Sequence, residues 1–181
     1  MVIIIPANGK LLGQAQRLAE AHRAYDGLRV AVVRADQVYN EFSSGTPDAT
    51  AYRMLMKMLY DRASGEYEGP RYLLLMGACL WDNRMLTPAT RNCNPDDYLL
   101  CFESENSWND TESYVMEDYF GLLDDGEGAS LTRDKMDIGV GRFPVKSVAE
   151  AKIMVDKTIS YAKNENAGAW QNTIMVLGDD G

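Results

Sequence analysis

The sequence predicts an α/β domain: a mainly parallel sheet flanked by helices, read from three observations. Short apolar, β-branched runs alternate with stretches of helical periodicity. Those runs are continuous rather than alternating, as in strands covered on both faces. The spacing from one run to the next leaves room for a helix in each crossover.

Val2 to Pro6 is a continuous β-branched run and reads as the first strand. Asn8 is a candidate helix N-cap, followed by Leu11, Ala15, Leu18, Ala19 and His22 at helical spacing. Gly27 suits a left-handed helix terminus, and Leu28 to Val33 reads as a second buried strand. Thr46-Pro47-Asp48 supplies a cap, a proline at the first helical position and an acid in the first turn. Ala51, Met54, Leu55, Met58 and Leu59 then share one face, a methionine-rich stripe read as core. Tyr72 to Met76 is the third strand, and Tyr98 to Phe102 and Ile138 to Arg142 are two further candidates. Between those two lies a long polar stretch holding Trp108, Tyr114, Tyr119 and Phe120, a length that is usually functional or partly structured. Ser147 and Glu150 form a capping box for a helix carrying Val148, Ala151, Val155, Ile159 and Ala162, and Asn172 to Leu177 is the next strand. The stretches 65–70, 87–97 and 103–135 read as loops.

The chain has 181 residues, 46% of them apolar and 25% charged, enough for one core. Eighteen Lys and Arg against 27 Asp and Glu give a net charge of −9, which disfavours nucleic acid as a partner. No apolar run approaches the roughly 20 residues that span a bilayer. Val2-Ile3-Ile4-Ile5 follows Met1 without a basic leader or a small-residue cleavage site, so the expectation is that no secretory signal is encoded here.

Nucleophilic catalysis by serine or cysteine calls for a base, and the single histidine, His22, belongs to the inward stripe of the first helix. Cys79, Cys93 and Cys101 contain no CxxC pair and read as small apolar residues rather than zinc ligands. Neither GxGxxG nor GxxxxGK[ST] occurs, and Asn8-Gly9-Lys10 is a turn. The acidic groups are Glu117-Asp118, Asp124-Asp125 with Glu127, Asp134 with Asp137, and Asp179-Asp180. The turn with Asp124, Asp125 and Glu127 offers calcium ligands, though its spacing differs from the EF-hand loop. No cofactor is required by any motif. Asp82 and Arg84 are expected to form an ion pair bracing the loop after the third strand.

Four blocks, taken in order, resemble the gingipain-type cysteine peptidases of family C25. They are Asp36 to Tyr52, Tyr72 to Gly77 continuing to Trp81-Asp82-Asn83-Arg84, Tyr119 to Gly126, and Asp137-Ile138-Gly139-Val140-Gly141-Arg142-Phe143-Pro144-Val145 with Glu150-Ala151. Within the family, they are most similar to the peptidases that process C-terminal sorting signals of type IX-secreted proteins in Bacteroidetes. The resemblance implies a caspase-like domain of two adjoining subdomains, of which residues 1–181 form the first. The catalytic histidine and cysteine would then follow Gly181, in a second subdomain that partners this one. It also implies protein substrates bearing sorting signals, and a parent protein at the cell surface, the outer membrane or in the periplasm. Met116 to Gly121 resembles the stretch shaping the gingipain specificity pocket, where an acid selects arginine, which points to Glu117 or Asp118. Arg142, within the fourth block, is taken with Asp82 and Arg84 as structural. Family members commonly carry an acid where this chain has Ala78, which leaves open a module that kept the fold without the catalytic pair.

Overall fold

The computed structural model describes residues 1–65, 68–104, 114–130 and 133–178. Four strands, β1 (Val2–Ile5), β2 (Ala31–Arg34), β3 (Tyr72–Met76) and β4 (Gly139–Phe143), lie in the order β2-β1-β3-β4, all parallel. Helices α1 (Leu12–Tyr25), α2 (Ala35–Phe42), α3 (Thr50–Asp61) and α4 (Val148–Ala162) complete the layers.

The strict alternation of a strand explains why β1 and β3 are apolar throughout. Val2, Ile4, Leu73 and Leu75 point to one face, where they meet Ala35, Val38 and Tyr39 of α2 and Ala51, Tyr52 and Met56 of α3. Ile3, Ile5, Leu74 and Met76 point to the other, where they meet Ala15, Leu18 and Ala19 of α1 and Ala151 and Val155 of α4. Each such Leu or Ile contributes about 1.5–3 kcal/mol relative to exposure. Arg17 of α1 also pairs with Asp156 of α4.

The first strand, the third strand, the fourth strand and the Ser147 cap, whose hydroxyl accepts from Glu150 N–H, lie where the sequence puts them. Gly27 adopts φ +64°, and Leu28 N–H donates to His22 O. Other elements differ. Asn8 does not cap α1, which begins at Leu12; its side chain instead accepts from Lys10 N–H in a tight turn. The second strand is Ala31–Arg34, half-exposed because it is an edge of the sheet. Thr46-Pro47-Asp48 precedes its helix by one extra turn, and Asp48 Oδ1 accepts from Thr50 N–H. The buried stripe of α3 is Ala51, Tyr52 and Met56, whereas Met54 is exposed, because Tyr52 is drawn into an aromatic cluster. In α4, Val148 and Ala162 are likewise exposed. Tyr98–Phe102 forms no ladder, although Leu99 and Cys101 are fully buried. Asn172–Leu177 is not a strand either. Residues Ala169–Asn172 form a 3-10 turn, and Ile174 to Leu177 are 81–90% exposed with no sheet partner among the described residues. Trp108 and Asp179-Asp180 lie outside the described residues.

The long polar stretch is partly core. Its 3-10 turn Glu117–Gly121 buries Tyr119 and Phe120, with Phe102 stacked on Tyr119 at 3.7 Å and Phe120 tilted against Tyr52.

Gly77 follows β3 where a Cβ would stand 2.8 Å from Pro6 Cγ and 3.1 Å from Leu99 Cγ. The proline ring cannot move aside, so Gly77→Ala is expected to lower unfolding free energy by about 1–3 kcal/mol in urea denaturation. Gly141→Ala, with nothing within 4 Å, should change it by less than about 0.5 kcal/mol. Equal effects at the two positions would refute the close-approach argument.

Candidate functional site

Ligands of parallel sheets gather beyond the carboxyl ends of the strands, and here that end is built around Arg142. Its position on β4 carries the guanidinium inward, leaving the side chain 9% exposed. Nε and Nη2 engage the two Glu117 oxygens at 3.2 and 2.9 Å, Nη1 donates to Gly77 O at 2.9 Å, and Nη2 also donates to Leu100 O at 2.9 Å. One planar fork therefore joins β4, the turn after β3, the 99–103 segment and the 117–121 turn.

Of the two candidate pocket acids, Glu117 is thus occupied by an arginine of its own chain. Asp118 is exposed, with no hydrogen-bond or ion-pair partner among the described residues. Asp82 and Arg84 do not pair with each other. Asp82 instead accepts from Thr87 N–H at 2.8 Å and from the Thr90 hydroxyl, and these bonds hold its carboxyl well below the usual range. It braces the loop by capping it, because two local donors are nearer than a solvated guanidinium. Arg84 is exposed on the wall of a neighbouring cleft.

That cleft, of about 810 Å³, lies between α2 with its following loop and the segments 80–85 and 95–103. Asp36, Asp48, Asp96 and Glu103 line it against the single guanidinium of Arg84, so its walls are net negative. Burial raises the Glu103 carboxyl. Tyr39 and Tyr52 meet hydroxyl to hydroxyl behind it, and burial pushes Tyr52 up to about 12. Next to its Ala7 and Asp96 wall, Asn8 Nδ2 and Lys10 Nζ both reach Asp97 Oδ1, at 2.5 and 2.9 Å.

In the turn that offers calcium ligands, each carboxylate already has a partner within the protein. Asp124 accepts from Tyr60, Asp125 pairs with Lys57, and Glu127 accepts from Asp124 N–H and Lys135 N–H. Among the described residues, no three acidic, histidine or cysteine side chains gather as a metal site. Arg53, which the sequence reading passed over, holds this turn through Leu122 O and Glu127 O and lies over Tyr119.

His22 sits near the C-terminus of α1, its Nδ1 2.5 Å from Asp26. It borders a hollow with Met1, Arg71 and Tyr72, at the amino ends of β1 and β3, whereas Cys79 and Cys101 lie beyond the carboxyl ends. The five residues of β3 separate these ends by roughly 15 Å or more. The Cys101 thiol lies 3.4 Å from Leu80 O and 3.6 Å from Asn83 Oδ1.

A family model described as peptidase family C25 matches residues 1–181. No curated protein matches the chain. Among solved structures, the chain is similar to dimeric latent PorU from Porphyromonas gingivalis, with 44% identity and a TM-score of 0.77, over 94% of this chain and 16% of that one. It is also similar to the complex of Porphyromonas gingivalis RgpB pro- and mature domains. There the identity is 18% and the TM-score 0.54, over 89% of this chain and 28% of that one, a likeness of fold alone. The chain thus spans a minor part of either protein. The architecture is the caspase-like one of the gingipain fold.

Two outcomes follow from the site's electrostatics. Arg142→Ala leaves Glu117 half-buried and unpaired, with two carbonyls lacking a donor, and should cost about 3–5 kcal/mol in urea denaturation. Arg142→Lys should recover only part of that, since an ammonium cannot reproduce the fork; a wild-type midpoint in both variants would contradict the clamp. Asp82 has a folded pKa below its unfolded value near 3.9. Its contribution is therefore complete above about pH 4 and is lost as pH falls through the depressed folded value. Acid unfolding of Asp82→Asn should lack that component, and superimposable acid transitions for variant and parent would rule it out.

Proposed function

Because the chain belongs to peptidase family C25, we propose that it is the non-catalytic first subdomain of a cysteine endopeptidase. The attacking thiolate and its histidine partner come from a second subdomain that packs against this one. One observation carries this reading. The only histidine stands at the opposite end of the sheet from Cys79 and Cys101, too far to transfer a proton to either. The residues at the carboxyl ends serve instead as wall and support. Arg142 and Glu117 fix the 117–121 turn, and this leaves Asp118 as the accessible acid of the stretch likened to a specificity pocket. The net-negative cleft beside it suits a basic stretch of substrate polypeptide.

The similarity to PorU from Porphyromonas gingivalis supports a finer reading. In it, the substrates are exported proteins carrying C-terminal sorting signals, handled by the type IX secretion system at the cell surface or outer membrane. Ala78, standing where family members commonly carry an acid, favours a second reading as a binding module without peptidase activity. It is buried, and its backbone is committed to Val145 O and Leu99 N–H.

A substrate-like acyloxymethyl ketone peptide, which alkylates only an activated cysteine, discriminates these readings in the full-length protein. The expected result is labelling of one cysteine after Gly181, with Cys79, Cys93 and Cys101 unlabelled, and no hydrolysis by residues 1–181 alone. Labelling of one of these three with loss of hydrolysis overturns the proposal. A folded protein with no labelled cysteine transfers the case to the binding module.

A further inference from the structure

We propose that Asn8 is a self-modification site: when the Asn8-Gly9-Lys10 turn opens, the backbone nitrogen of Gly9 displaces the side-chain amide, and the acid left behind turns the contact with Asp97 from attraction to repulsion. Asn8-Gly9 is the only Asn-Gly dipeptide in the sequence. The fold itself calls for the glycine, because Gly9 sits at φ +70°. A residue without a side chain leaves its nitrogen unshielded towards the preceding amide, so the conformation that makes the turn also makes it chemically labile. In the closed turn that reaction is held off from three directions. Gly9 N–H donates to Pro6 O at 3.1 Å, Lys10 N–H donates to Asn8 Oδ1 at 2.7 Å, and Asn8 Nδ2 donates to Asp97 Oδ1 at 2.5 Å. Asn8 N–H is fixed as well, on Asp96 O at 3.1 Å. With the amide pinned at both ends, its carbon cannot turn face-on to the Gly9 nitrogen.

Once the turn opens, the chemistry needs only water and hydroxide. Hydroxide takes the Gly9 N–H proton, and the nitrogen forms a bond to Asn8 Cγ. The Cγ–Nδ2 bond breaks, and Nδ2 leaves as ammonia after taking a proton from water, which regenerates the hydroxide and closes a five-membered imide. Water then opens that ring at either carbonyl, giving an aspartyl or a β-linked isoaspartyl residue in place of Asn8. One water is consumed, one ammonia is released, and nothing is oxidised or reduced. The consequence falls on Asp97, whose carboxyl Lys10 and Asn8 together hold below the usual range, so that it is ionised at neutral pH. The modified side chain meets it with a carboxylate where the closed turn has an N–H donor, and like charges at that distance repel. Lys10 Nζ, 2.9 Å from the same Asp97 oxygen, is then shared between two acids. Asn8 N–H on Asp96 O carries the disturbance to the wall of the cleft.

The full chain is held in mildly alkaline buffer, folded and in parallel unfolded in guanidinium chloride, then peptide-mapped by mass spectrometry and assayed with an isoaspartyl-specific methyltransferase. Asn8 should be converted in the unfolded chain and about tenfold or more slower in the folded one, whereas Asn40 and Asn83, followed by Glu41 and Arg84, stay intact in both. Asp97→Ala, which removes one of the holding bonds, should raise the folded rate and leave the unfolded rate unchanged. Asn8→Asp, which carries the acid without the reaction, should melt below the parent, and adding Asp97→Asn should restore the loss by exchanging donor and acceptor. The proposal is overturned if Asn8 survives in the unfolded chain or if folded and unfolded chains convert alike. An unchanged folded rate in Asp97→Ala, or a parental melting temperature in Asn8→Asp, would overturn it as well.

Discussion

The fork of Arg142 is the constraint on which the carboxyl end of the sheet depends. A guanidinium 9% exposed is tolerable only when its donors are matched, because removing a lone charge from water costs several kcal/mol. Here the match comes from a carboxylate and two carbonyls, each on a different stretch of chain. Those stretches carry little regular structure. Residues 77–80, 99–103 and 114–123 contain one isolated bridge, Glu103 to Val115, and one 3-10 turn. The ion pair supplies the long-range order that a ladder would otherwise give.

Beneath it the sheet is ordinary in chemistry and economical in design. Two strands, β1 and β3, feed both faces, so a few Ile, Leu and Met side chains organise four helices. The face against α2 and α3 is the more aromatic, with Tyr39, Tyr52, Phe102, Tyr119 and Phe120 in mutual contact. Their hydroxyls find one another or Thr50, which lets phenols sit in a core. The contact of Gly77 with Pro6 lets the loops after β1 and β3 cross at backbone distance, which puts the Asn8 turn next to Asp97.

The fold was legible where burial is symmetric and local chemistry is strong. Val2–Ile5 and Tyr72–Met76 are apolar on both faces, and Ser147 with Glu150 caps within four residues. Failures have physical causes. Leu28–Val33 has the composition of a central strand but occupies an edge, and composition does not encode sheet order. Leu99 and Cys101 are apolar because they are buried, not because they pair. The helix Ala35–Phe42 has only two turns, with Ala35, Val38, Tyr39 and Phe42 on its period, too short a run to stand out from the segments around it. At the site, Glu117 was found as an acid and Arg142 as structural, but their partnership spans 25 positions in sequence, and no local pattern announces it.

Ile174, Met175, Val176 and Leu177 stand almost wholly in solvent, one after another. Four such residues with strand propensity and no charge among them form a template on which identical copies can zip together. Wherever that tetrapeptide is left uncovered it favours pairing between copies, a pull that charged or helical cover over the same residues would cancel.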